Sequence, residues 1–315
     1  MEQTGNKKYD VVIIGGGPAG LSAGIYSARG RLKTLLLERM AVGGAIVYAG
    51  LVENYPGFLE GISGLDLADK MNRQAVKFGL EVMNAEVTAL EIKGKEKEVR
   101  TSQGDFTAKA VIIAGGSERQ LLNVPGEKEF TGRGVGYCAL CDGFLFRDKT
   151  VAVAGGGNTA ISEALELAKF AGKVYVIHRR DELRAVKILQ ERAFAEPKIE
   201  FVWSTVIESI EGDDVVRKLN LKNVATGKKS ILAVDGVFVA TGAKPATAYL
   251  KGLLSLDENG AIVTNEKMET GIPGIFAAGD IRSGSIRQVV SAVGDGAVAA
   301  VYAERYIAEH FQEAH

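Results

Sequence analysis

The sequence predicts an α/β protein of two parallel-sheet units, the second inserted into the first. Three observations predict it. The succession strand, G-x-G-x-x-G or G-x-G-x-x-A, helix, strand occurs twice, beginning near Tyr9 and Thr150. Glycine numbers 39 of 315 residues against 6 prolines, a composition that marks tight turns where backbone must approach something closely. A last apolar strand, Gly274-Ile275-Phe276-Ala277-Ala278, lacks a glycine loop of its own and most simply completes the first sheet. Two Rossmann-like units of the three-layer ββα kind follow, over residues 1–119 with 248–315, and over 120–247.

The first unit opens with Tyr9-Asp10-Val11-Val12-Ile13-Ile14, short, β-branched and apolar as a buried strand is. It runs into Gly15-Gly16-Gly17-Pro18-Ala19-Gly20, a helix over 21–29 and a second strand, Thr34-Leu35-Leu36-Leu37-Glu38. Gly15 permits the tight turn, Gly17 lets a pyrophosphate reach the backbone, and Gly20 lets the helix pack on the strand. The helix N-terminus offers N–H groups and positive dipole to the phosphates. Glu38, 18 residues after Gly20, can accept hydrogen bonds from a ribose hydroxyl, so the unit suits FAD or NAD.

The second unit repeats the plan with one change. Strand 150–154 leads into Gly155-Gly156-Gly157-Asn158-Thr159-Ala160, a helix over about 159–170 and strand 174–177. That strand ends in His178-Arg179-Arg180, with Arg184 beyond. A carboxylate would repel a 2′-phosphate, whereas guanidinium groups bind it through charge-assisted bonds, so this unit suits NADPH. A solvated basic face is the plainer reading of the same arginines. Each unit continues into segments resembling a small β-meander laid on the parallel sheet, over 82–115 and 201–242. The tail after Gly279-Asp280 is an alanine-rich helix over about 289–308.

Composition excludes other classes. Lys+Arg 38 against Asp+Glu 39, with no basic run, argues against nucleic-acid binding. No segment approaches a membrane span and Met1 to Lys8 carries no signal peptide, which leads to the expectation of a soluble cytoplasmic protein. The only cysteines, Cys138 and Cys141, are spaced C-x-x-C; with His178, His310 and His315 the only histidines, a closed zinc site is improbable and no metal is expected. Buried inert thiols are the alternative to a redox dithiol, and the spacing favours the dithiol.

These elements in this order resemble the low-molecular-weight thioredoxin reductases. The likeness is carried by both glycine loops, Glu53-Asn54-Tyr55-Pro56-Gly57, Cys138-Ala139-Leu140-Cys141-Asp142-Gly143, His178-Arg179-Arg180-Asp181-Glu182-Leu183-Arg184-Ala185, Gly279-Asp280 and Arg287-Gln288. It implies FAD across Gly15, Gly17, Pro18, Ala19, Gly20, Glu38, Arg39, Gly44, Ala45, Asn54, Val87, Ala114, Gly115, Gly279, Asp280, Arg287, Gln288 and Val289. It implies NADPH at Gly155, Gly157, Asn158, Thr159, Ala160, His178, Arg179, Arg180 and Arg184. It also implies a homodimer that reduces thioredoxin or a thioredoxin-like protein. Cys141 would face the flavin, Cys138 would attack the partner disulfide, and Asp142 would give and take protons; Asp142-Gly143 also fits a helix N-cap or turn, and both roles can hold at once. The chain departs from the family's usual residues at Ala45, Tyr48-Ala49-Gly50, Gly115, Ser162 and Ile286. An enzyme of this build that serves another small redox protein, or runs as a dithiol oxidase, is the rival reading.

Overall fold

A computed structural model describes residues 7–250 and 252–311. The first six residues, part of the segment read for a signal peptide, and His315 lie outside the described residues. The chain forms two compact units, one running up to Glu118 and again from Lys244 onward, the other Arg119–Ala243.

The first unit begins with β1 (Lys7–Ile14), α1 (Pro18–Arg29), β2 (Thr34–Glu38), α2 (Gly64–Lys77) and β3 (Glu81–Asn84). It continues with β4 (Val87–Lys93), β5 (Glu96–Thr101), β6 (Gly104–Ile113) and the crossing strand β7 (Ser117–Arg119). The second unit holds β8 (Val135–Gly136), the single turn α3 (Ala139–Asp142), β9 (Thr150–Ala154), α4 (Asn158–Ala168), β10 (Lys173–Ile177) and α5 (Lys187–Ala195). There follow β11 (Ile199–Val202), β12 (Thr205–Gly212), β13 (Val216–Asn223), β14 (Lys229–Ala233) and β15 (Gly236–Val239). The chain returns on β16 (Ala243–Pro245), which pairs with β7, and ends with β17 (Ile275–Ala277) and α6 (Val289–His310).

In the first unit the sheet order is β3-β2-β1-β6-β5-β4, with β17 also on β6. The strand residues alternate between two cores, as the period of two requires. Val11, Ile13, Leu36, Ala110 and Ile112 face the helices, while Val12, Leu35, Leu37, Val111 and Ile113 face the other side. Both faces are covered, which is why β1, β2 and β6 read as continuous apolar runs. Small residues let α1 and α6 meet: a Cβ on Gly296 would lie 2.0 Å from the Ala19 carbonyl oxygen. The expected tail strand does complete this sheet, pairing Ile275, Phe276 and Ala277 in parallel with Val111, Ile112 and Ile113.

The meander of the first unit is not laid on the parallel sheet; it continues it, because β6 pairs antiparallel with β5 over 104–108 and parallel with β17 over 111–113. In the second unit the meander is separate, an antiparallel β12-β13-β14 sheet beside the parallel order β11-β10-β9-β15-β8. The segments expected over 201–242 begin on the parallel sheet, and Ser204 at φ 50° turns the chain from β11 into β12 of the separate one. No helix among the described residues is long and apolar enough to cross a membrane.

Candidate active site

The dithiol follows directly from the edge of a sheet. β8 pairs in parallel with β15, through Val135 on Val237 and Gly136 on Phe238, and two residues later Cys138 begins a single helical turn. Cys138 and Cys141 are joined by a disulfide. The Cys138 sulfur accepts the Cys141 N–H at 3.1 Å, and its carbonyl accepts the N–H groups of Cys141 and Asp142. Sulfur therefore occupies the capping role that the sequence offered to Asp142; that residue precedes the next 3₁₀ turn and makes no capping bond. Cys138 is buried and Cys141 exposed, with Leu140, Phe144 and Leu145 exposed on either side of it in sequence.

Two acids that the sequence reading passed over serve this turn. Glu163 on α4 accepts the Ala139 N–H at 3.2 Å. Glu127 is fully buried and accepts the N–H groups of Leu122 and Asn123 and the hydroxyl of Tyr137, the residue before Cys138. Glu163 carried a legible signal, for it stands three residues after Ala160 and four before Leu167, on the buried stripe of its helix.

The second glycine loop and the arginine segment are brought together by backbone. The Arg184 N–H donates to the Gly156 carbonyl at 2.8 Å, and Asn158 Oδ1 accepts the Val186 N–H at 2.8 Å. The His178 ring packs where a Gly156 Cβ would be, 2.5 Å from that position, and its Nε2 is buried with no hydrogen-bond partner. Burial, and then the charges of Arg184, Arg180 and Arg179, hold the His178 imidazole below its ordinary pKa. All three arginines are exposed. A Cβ on Gly157 would meet nothing within 4 Å, and α4 starts there with no side-chain cap and no acid in its first turn. An open face at an uncapped helix N-terminus fits a dinucleotide's phosphates.

The first glycine loop has the same construction. A Cβ on Gly15 would strike the Ala114 carbonyl oxygen at 2.4 Å and one on Gly20 the Gly15 oxygen at 1.9 Å, whereas Gly17 faces only the Gly44 Cα, at 4.0 Å. Pro18 opens α1, which also lacks a side-chain cap. Glu38 already uses both oxygens, Oε2 on the Gly16 N–H at 2.7 Å and Oε1 on the Met40 N–H at 2.8 Å, so a ribose would share them. Arg39 pairs with Glu118 at 2.9 Å, and Asn54 donates to Gln288 at 2.8 Å. Arg287, at φ 55°, turns the chain into α6, whose first residue is Val289. Asp280 accepts the Ser285 hydroxyl; burial pushes its carboxyl up, while Ser285 and Arg287 hold it down. Ala45 lies in the 3₁₀ turn Gly44–Tyr48, Val87 begins β4, and Ala114 and Gly115 follow β6. Gly279 opens the turn that carries Asp280.

Two glycine loops on parallel sheets, one with arginines behind it, and a C-x-x-C disulfide define a dinucleotide-dependent disulfide oxidoreductase. Accordingly, the chain belongs to the family described as pyridine nucleotide-disulphide oxidoreductase, which matches residues 9–296. Among its relatives, a thioredoxin reductase of Peptoclostridium litorale is 48% identical over 311 residues, covering 97% of this chain and 99% of that one. One from Peptoclostridium acidaminophilum is 45% identical with the same coverage, 97% and 99%. A crystal structure of Lactococcus lactis thioredoxin reductase superimposes with a TM-score of 0.93 at 45% identity, covering 96% of this chain and 99% of that one.

Proposed function

We propose that this protein reduces the disulfide of thioredoxin or of a thioredoxin-like protein with electrons from NADPH, using FAD and the Cys138–Cys141 pair. The observation that carries the reading is the joint presence, in the unit Arg119–Ala243, of that disulfide and of a glycine loop tied to the arginine segment. This unit would bind NADPH through Gly155, Gly157, Asn158, Thr159, Ala160 and His178, with Arg179, Arg180 and Arg184 on the 2′-phosphate. The other unit would hold FAD along the first glycine loop, Glu38, Arg39, Gly44, Ala45, Asn54, Val87, Ala114, Gly115 and residues 279–289. When bound, FAD supplies a two-electron carrier between nicotinamide and disulfide.

The chain's own residues do the rest. Once the pair is reduced, Cys138, buried in this structure, has to be uncovered for its thiolate to attack one sulfur of the partner disulfide, forming a mixed disulfide and expelling the partner's other sulfur as a thiolate that takes a proton. The Cys141 thiolate then attacks Cys138, releasing the second partner sulfur and restoring the Cys138–Cys141 bond. Asp142, adjacent to Cys141, exchanges the protons with solvent. The exposed Leu140, Phe144 and Leu145 give an apolar margin for a protein substrate.

The test is NADPH oxidation by the FAD-loaded protein with thioredoxin present or omitted, using Cys138→Ser and Cys141→Ser as controls. Turnover that needs thioredoxin and both sulfurs is the expected result. A protein that binds no flavin, or that keeps full turnover after either substitution, overturns the reading. Consumption of oxygen by a reduced dithiol without NADPH would favour the oxidase instead.

A further inference from the structure

The proposed electron route uses two sulfurs and Asp142 and leaves out the carboxyl beneath the dithiol turn. Ala139, between the cysteines, is buried in the same apolar cluster as Ile161, Ala164 and Leu167 of α4, on which the turn packs. From that same helix Glu163 accepts the Ala139 N–H at 3.2 Å. Charges of opposite sign face the carboxyl: Arg119 on β7, which holds its pKa down, and Asp142 on α3, which raises it. Burial is the largest influence and pushes the group up to about 7.

We propose that Glu163 is a positioning residue for the dithiol, holding the Cys138–Cys141 turn through the Ala139 N–H and taking up a proton when the disulfide is reduced. The proposal rests on the redox reading of that pair. Reduction puts two electrons into the sulfur–sulfur bond, which breaks; one sulfur takes a proton to become a thiol and the other keeps its charge as a thiolate. That new negative charge arises next in sequence to Ala139, whose N–H the carboxylate accepts, and adds to the opposition of Asp142, so the proton affinity of Glu163 rises and it draws part of a proton from solvent. When the partner disulfide accepts the two electrons, the thiolate charge disappears and Glu163 returns its proton. Above neutral pH the dithiol thus carries a further fraction of a proton per two electrons beyond what its sulfurs alone account for.

The FAD-loaded protein and its Glu163→Gln variant are equilibrated with fixed ratios of reduced to oxidised dithiothreitol from pH 6 to 8.5. Alkylation then counts the reduced cysteines. Glutamine keeps an acceptor for Ala139 but cannot take a proton. The two proteins are expected to coincide at pH 6, where Glu163 is neutral in both redox states. Above pH 7 they should diverge, with the wild type about fivefold harder to reduce by pH 8.5. Parallel curves over the whole range, coincident or offset, overturn the proposal. Should Glu163→Gln fail to hold flavin, Glu163→Asp replaces it, with the onset of divergence expected at lower pH and its absence equally fatal. Neither NADPH nor thioredoxin enters this measurement. Divergence without NADPH turnover would therefore sink the proposed electron route alone, and turnover without divergence would sink Glu163 alone.

Discussion

Arg282 grips Asp295 at two points, with Nε 2.6 Å from Oδ2 and Nη2 2.9 Å from Oδ1. The same Oδ2 accepts the Gly279 N–H at 3.1 Å. Gly279 stands at φ 78°, two residues after β17 ends and just before Asp280. An ion pair anchored on α6 thus fixes the turn that presents Asp280, and it does so largely out of water, with the two side chains 20% and 10% exposed.

Breaking that pair from one side should be costly. Asp295→Ala leaves a guanidinium and an N–H without their acceptor, a change worth about 3 kcal/mol in a site this buried. Urea unfolding of the FAD-free protein is expected to show that loss, and the FAD-loaded variant is expected to release flavin faster than wild type. Unchanged stability and unchanged flavin retention together would show that the pair does not hold the turn.

Two glycines of the second loop should respond in opposite ways to alanine. Gly155, at φ 149°, would place a Cβ 2.3 Å from the Ala240 carbonyl oxygen, so Gly155→Ala should destabilise the fold itself. Gly157 faces open space, and Gly157→Ala should unfold close to wild type while weakening NADPH binding about tenfold, because the methyl occupies the approach of the pyrophosphate. Thermal unfolding and the NADPH KM, measured on both variants, check the contrast.

Most of this architecture was legible because local and global signals agree. Val11 to Ile14, Leu35 to Leu37 and Val151 to Ala154 are apolar without alternation, as strands buried on both faces must be, and each glycine loop follows such a strand. The parts that escaped depend on partners distant in sequence. β8 is two residues long, and only its pairing with β15, about a hundred residues on, makes it a strand. Glu127 and Asp295 read as ordinary surface acids until folding buries them against backbone N–H groups. The first-unit meander misled because β6 belongs to antiparallel and parallel pairings at once, which composition does not reveal.

Arginines 179 and 180 should discriminate between nucleotides. Each charge-assisted bond to a 2′-phosphate contributes about 1.5–3 kcal/mol, so Arg179→Ala or Arg180→Ala should raise the KM for NADPH roughly 10- to 100-fold. The KM for NADH, which lacks that phosphate, should stay within about twofold. Either substitution also removes a positive charge acting on His178, whose pKa should rise towards its ordinary value in an NMR titration. Equal losses with NADH and NADPH would return these arginines to the role of a solvated basic face.

Lys97 predicts a pH dependence remote from the redox site. Its ammonium is buried: Nζ donates to the carbonyls of Lys95 and Lys109 and to the Tyr306 hydroxyl, and it lies 4.6 Å from the Tyr306 ring centre. Burial lowers its pKa from 10.5 to about 8. Between those values the unfolded chain binds more protons than the folded one, so stability rises with pH and is lost again as pH falls through the folded value. The gain from pH 8 to pH 10 should be about 2 kcal/mol. Tyr306, Tyr9, Tyr137 and Tyr249, whose pKa burial raises, act in the opposite sense as pH nears 10, where a tyrosine of the unfolded chain is half ionised, so the difference between wild type and a Lys97 variant is what isolates this share. Lys97→Met places an uncharged chain of similar length in the same buried site and should flatten the difference. Urea unfolding at pH 8, 9 and 10 on both proteins measures it, and a wild-type slope no steeper than that of the variant would mean that Lys97 keeps its ordinary affinity for the proton in the folded state.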